Sequence, residues 1–114
     1  MNIEMLREIC SSLTAVTEDV KWGSDLVFSV GDKMFCVASL EPPFSCSFKV
    51  SDDEFDELSN QNGFTPAPYM ARAKWVLVTD PSGLDKKQWE RYIKQSYDLV
   101  KTKLTKKLRE KLGI

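Results

Sequence analysis

Few side chains in this sequence have a type and spacing that suit catalysis. Cys36 or Cys46 with Lys49, and Tyr97 with Asp98, are the pairs from which a reactive centre would be built. None of them supplies the nucleophile, the base and the orienting group that together activate a site. Cys10, Cys36 and Cys46 are odd in number, widely spaced and without a Cys-x-x-Cys pair. They signal neither a disulfide framework nor a zinc site, and read as small buried apolar residues or spare thiols. The chain has no histidine, which removes the usual general base, nucleophile activator and commonest metal ligand together. A non-enzymatic protein is expected, with no catalytic residue, no metal ligand set and no cofactor.

Asp52, Asp53, Glu54, Asp56 and Glu57 crowd into six positions. They follow Ser51, and Ser51-Asp52-Asp53-Glu54 is a capping box that starts a helix. First-turn acids are favoured by the helix dipole, so the run reads as a solvated helix face and not as a metal site.

The 114 residues suit one domain spanning 1–114, and 42% hydrophobic with 29% charged side chains is the composition of a packed globular protein. The longest apolar runs, such as Trp75-Val76-Leu77-Val78, fall far short of the roughly 20 residues of a membrane span. The N-terminal stretch carries Glu4 and Glu8 where a secretory signal would carry cations and an apolar core. No membrane association and a cytoplasmic location are expected. The net charge of −1 conceals an asymmetry: residues 1–83 hold 6 basic and 13 acidic side chains, residues 84–114 hold 10 and 4.

Periodicity supplies the elements that would position any site. Ile3, Leu6, Ile9, Cys10 and Leu13 recur at helical spacing behind Asn2 as N-cap, predicting a helix to about Leu13. Val20-Lys21-Trp22 reads as a short first strand and Leu26–Val30 as a second. Gly31-Asp32 then makes a two-residue hairpin into Lys33–Ala38. Phe44, Cys46, Phe48 and Val50 alternate with Ser45, Ser47 and Lys49, predicting a fourth strand buried on one side. The helix from Ser51 fades between Asn60 and Gly63, 64–68 reads as a loop, and Ala73–Thr79 as a fifth strand. A long helix from near Asp85 buries Trp89, Ile93, Ser96/Tyr97, Val100 and Leu104, and the last ten residues fray or form a separate short helix. Trp22, Trp75 and Trp89 are expected in the core.

Gly31-Asp32-Lys33-Met34-Phe35-Cys36, Ser47-Phe48-Lys49, the approach from Pro68-Tyr69-Met70 to Lys74-Trp75, and Ser96-Tyr97-Asp98-Leu99-Val100 followed by Leu104 occur in this order across nearly the whole chain. In this the sequence resembles the MmcQ/YjbR family. The resemblance implies an α+β fold similar to CyaY and frataxin, a twisted antiparallel sheet of about five strands with helices packed on one face. It also implies a likeness to double-wing DNA-binding domains. Many members carry His near the position of Trp75, where this chain reads Tyr69-Met70-Ala71-Arg72-Ala73-Lys74, so any imidazole role is in doubt here.

If DNA is the partner, Lys33, Lys49, Arg72 and Lys74 would meet phosphates and Tyr69 would stack on unpaired bases. The pI of about 5.5 runs against this reading. A rival basic surface is the stripe Lys87, Arg91, Lys94 and Lys101, with Lys106, Lys107, Arg109 and Lys111 as a mobile basic tail. Two alternatives stand beside DNA. One is a protein partner or self-association through the helix-free sheet face, giving a monomer or weak homo-oligomer. The other is frataxin-like metal binding by Glu4, Glu8, Glu18, Asp19 and Asp25, which requires several oxygens to converge.

Overall fold

A computed structural model describes residues 1–114. Asn2 caps α1 (Ile3–Ser11) by accepting the Met5 N–H, and Leu6 and Cys10 point inward one turn apart. The helix stops two residues short of the expected Leu13, because the Ser12 N–H makes the last bond to Glu8, the Leu13 N–H tightens onto the Cys10 carbonyl, and Ala15 turns the chain with φ +63°. The strands β1 (Val16–Lys21), β2 (Asp25–Val30), β3 (Lys33–Ser39) and β4 (Cys46–Lys49) follow as an antiparallel meander.

α2 (Asp52–Ser59) starts at the Ser51 cap. β5 (Phe64–Pro66) and β6 (Trp75–Val78) complete a six-stranded antiparallel sheet of order β1-β2-β3-β4-β6-β5. α3 (Lys86–Lys101) begins at an Asp85–Gln88 capping box, and Thr105 caps a separate α4 (Lys106–Leu112).

The α+β architecture is as expected, with six strands in place of about five. The extra strand is β5, three residues long and ending in Pro66 on the sheet edge. So short a segment leaves no alternation to read, and proline is tolerated only because the edge needs no further donor. β1 starts four residues earlier than expected. Nearly all of it is exposed, so it shows no apolar period. Trp22 falls in the turn after it, with φ +53° and 67% exposure. Of the three tryptophans expected in the core, only Trp75 and Trp89 are buried.

One face of the sheet carries Leu26, Phe28, Val30, Cys36, Ala38, Cys46, Phe48, Val76 and Val78, and helices α1, α2 and α3 bury Leu6, Cys10, Leu58, Trp89 and Ile93 against them. α4 packs Leu108 and Leu112 on the same cluster. The basic C-terminal segment is therefore a docked helix and not a mobile tail. The other face carries the cross-strand row Val27, Val37, Ser47, Leu77 and Thr65.

Phe35 has no cross-strand partner: Phe28 pairs with Cys36 and Ser29 with Met34. The bulge turns Phe35 and Cys36, though adjacent, both into the core. β3 and β4 pair only over Cys36–Ala38 and Cys46–Phe48. Beyond that, the buried Ser96 hydroxyl of α3 bridges them, donating to the Phe35 carbonyl and accepting the Lys49 N–H at 2.9 Å. The bulge and this bridge open the sheet where Lys49 emerges. No helix is long and apolar enough to cross a membrane.

Candidate functional site

Four elements meet at the end of the sheet where β2 turns into β3. Lys33 and Met34 come from the start of β3, Lys49 from the end of β4, Tyr69 to Trp75 from the segment entering β6, and Val100 and Lys103 from the end of α3 and the turn after it. They line an open cavity of about 390 Å³. Its cations are Lys33, Lys49, Arg72 and Lys103, and Met34, Met70, Trp75 and Val100 give it apolar walls. Four of the five residues nominated from sequence therefore converge. The fifth, Lys74, does not line the cavity; its ammonium lies over the Phe55 ring, 5.0 Å from the centroid.

The entering segment is held by its backbone. Met70 N–H closes a turn on the Ala67 carbonyl at 3.1 Å, with Pro68 second and Tyr69 third. Tyr69 has φ +65°, a conformation usually left to glycine or asparagine at that turn position. Ala67 N–H bonds to the Trp75 carbonyl at 3.0 Å and Val50 N–H to the Lys74 carbonyl at 2.9 Å. These bonds fix Ala73, whose carbonyl accepts from the Lys49 ammonium.

Lys49 is half-buried, and burial holds its ammonium below the ordinary range of a lysine. Repulsion from Lys103 lowers it further and Lys74 adds to this, while Asp52 opposes them. The ion pairs of the protein are Arg7–Glu18 at 2.6 Å, Lys94–Asp98 at 2.9 Å and Lys101–Asp98 at 3.9 Å. None involves a cation of the cavity, and Asp52 offsets the charge of Lys49 only in part.

The rival basic stripe is different. Lys94 and Lys101 share Asp98, and the Arg91 guanidinium lies 4.5 Å from the Tyr92 ring centroid. The cleft between α1 and α3 carries Lys86 and Lys94 against Glu8 and Glu90, and balances its own charge.

Lys103 escaped the sequence reading. It flanks the Val100–Leu104 stripe three residues past Val100, and only the turn after α3 brings it over Lys49.

The remaining candidates do not assemble. The Cys36 and Cys46 sulfurs lie 3.5 Å apart, and all three thiols are free and buried. Burial pushes the Cys36 thiol well up, and Cys10 and Cys46 add to it, so it stays protonated and unreactive. The Tyr97 hydroxyl donates to the Thr14 carbonyl at 2.6 Å, tying α3 to the turn between α1 and β1, and burial raises its pKa. The acids of the frataxin-like reading are dispersed. Glu18 faces the helices and binds Arg7, whereas Asp19 and Asp25 alternate onto the other face of the sheet. No three carboxylates or thiols are grouped to hold a metal ion.

A family model described as YjbR matches residues 11–99. The chain belongs to the YjbR family. The match contains Lys33, Lys49, Tyr69 and Arg72 and stops short of Lys103. This YjbR chain is similar to a Deinococcus radiodurans protein with a DUF419 domain, at 26% identity over 99% of this chain and 88% of that one, with a TM-score of 0.89. It shares its fold with a Pseudomonas syringae protein at 20% identity, over 87% of this chain and 98% of that one, with a TM-score of 0.70. No curated protein matches it.

Proposed function

We propose that this YjbR domain is a non-enzymatic nucleic-acid-binding module that takes phosphate groups into the cavity at the end of its sheet. The observation that carries the reading is the convergence of Lys33, Lys49, Arg72 and Lys103, none in an ion pair, beside the fully exposed ring of Tyr69. The net charge of −1 does not oppose it. Screening limits electrostatic reach to about 8–10 Å at physiological salt, so the local potential, not the sum over the chain, meets a phosphate. The packing of all four α-helices on one face of the sheet, together with the resemblance of the sequence strings to a family likened to double-wing domains, supports the same reading by analogy of fold alone.

Fluorescence anisotropy with labelled single strands and mixed-sequence duplex tests this. Affinity should fall with salt, with a log–log slope no steeper than about −3, since four cations at roughly −0.7 each set the limit for a single strand. Absence of binding to either polymer at about 50 mM salt refutes the proposal.

A protein partner is the second reading. It is favoured by Trp22, Val20 and Leu40, exposed by 67%, 53% and 43% at the opposite end of the sheet. An isolated exposed tryptophan on a turn is a common anchor of protein interfaces.

A further inference from the structure

Resting on the nucleic-acid reading, we infer that the occupant of the cavity is an unpaired strand, with one phosphate held between Lys49 and Lys103 and the adjoining base stacked on Tyr69. Tyr69 is the first reason. Its side chain is fully exposed, so it contributes nothing to the core, yet it occupies a positive-φ turn position that glycine would fill without strain. A bulky residue kept in such a conformation points to a role at the surface it presents. The turn around it is closed by the Met70–Ala67 hydrogen bond and anchored by Ala67 to Trp75. The ring is therefore displayed from a fixed backbone.

Size is the second reason. About 390 Å³ lies near the lower end of the roughly 300–1,000 Å³ of small-molecule sites, room for a nucleotide-sized group. A duplex keeps its bases stacked inside and presents phosphates on a convex surface. Its phosphates can reach Lys33, Arg72 and Lys103, all exposed, and the Lys49 ammonium beside Lys103, but its bases stay paired and cannot stack on Tyr69. An unpaired strand delivers a phosphate and a base together, because every base offers a face for stacking.

The chemistry of the walls is the third reason. Lys49 gives one hydrogen to the Ala73 carbonyl and has two left for an anion, with Lys103 beside it. Met34, Met70 and Trp75 provide apolar surface for the sugar and base edge.

The test measures anisotropy at about 50 mM salt for a labelled oligothymidine and a duplex of equal length, with the native protein and the variants Tyr69→Gly, Tyr69→Phe and Lys87→Met. Glycine suits the turn, so Tyr69→Gly should melt at or above the native temperature. It should nevertheless bind the strand about tenfold more weakly, the size expected for one lost stack. Tyr69→Phe should retain binding, and Lys87→Met, on the outer face of α3, should match the native protein. The strand should bind about tenfold or more tightly than the duplex. Equal binding of strand and duplex, with Tyr69→Gly unchanged, overturns this inference and leaves the broader reading standing. Binding of neither polymer overturns both.

Discussion

Ser96→Ala is expected to destabilise the protein by about 2–4 kcal/mol and to lower its melting temperature by roughly 8–16 °C, a large effect for one oxygen atom. The hydroxyl is completely buried, donates to the Phe35 carbonyl and accepts the Lys49 N–H at 2.9 Å. Removing it leaves one acceptor and one donor without partners, and each such buried group costs about 1–3 kcal/mol. The strands cannot close the gap themselves. The Phe35 bulge offsets β3, and its ladder with β4 ends at the Cys36–Phe48 pair. Urea unfolding with an unchanged m-value would measure the loss, and a change below about 0.5 kcal/mol would show that water takes over the bridge. Since the bridge fixes the backbone of Lys49, the variant should also bind nucleic acid more weakly under conditions where it remains folded.

The same residue shows where the sequence was legible and where it was not. The stripe Trp89, Ile93, Ser96/Tyr97 and Val100 placed Ser96 inward, because helical periodicity is local. Nothing local says that its hydroxyl joins strands that lie 61 and 47 residues away in the chain. The Gly31-Asp32 hairpin was readable for the same reason that α2 and α3 were: turn and capping chemistry act over two to four residues. Both residues of that turn have positive φ, and a side chain at Gly31 would meet Leu104 and Leu108.

β1 and β5 were obscured by their position at the sheet edges, where one flank is solvent and alternation is not enforced. In the site, Lys33, Lys49, Tyr69 and Arg72 were recoverable from the strings that resemble the family. Lys103 falls in the gap between Val100 and Leu104 of the last of those strings, and Lys74 could be placed only by the left-handed turn, φ +64°, that carries it toward Phe55.

Lys49→Met is expected to make the protein more stable at pH 7 and to weaken single-strand binding by about 10–100-fold, the worth of one charge-assisted contact. Methionine keeps the methylene packing of the half-buried stem and removes an ammonium that the fold disfavours. Burial disfavours it most, then Lys103, then Lys74, with Asp52 giving partial relief. Between the lowered folded pKa and the ordinary 10.5, the unfolded chain binds more protons at this site than the folded one. The contribution of Lys49 to stability therefore rises with pH through that window, and its penalty is fully present below it. The Cys36 thiol, held up by burial, contributes in the opposite sense over the same range, so the native protein should gain stability relative to Lys49→Met when unfolding is measured at pH 7 and near pH 10.

Binding runs the other way. A bound phosphate favours the charged amine, so affinity should decline as pH passes the lowered pKa of Lys49, before ordinary lysines titrate. The Met variant should lack that early decline. A variant that is less stable at pH 7 and binds as well as the native protein would remove Lys49 from the site. A cation held at a cost to folding is the expected signature of a residue kept for an anion that arrives later, and here stability and binding should move in opposite directions on one substitution.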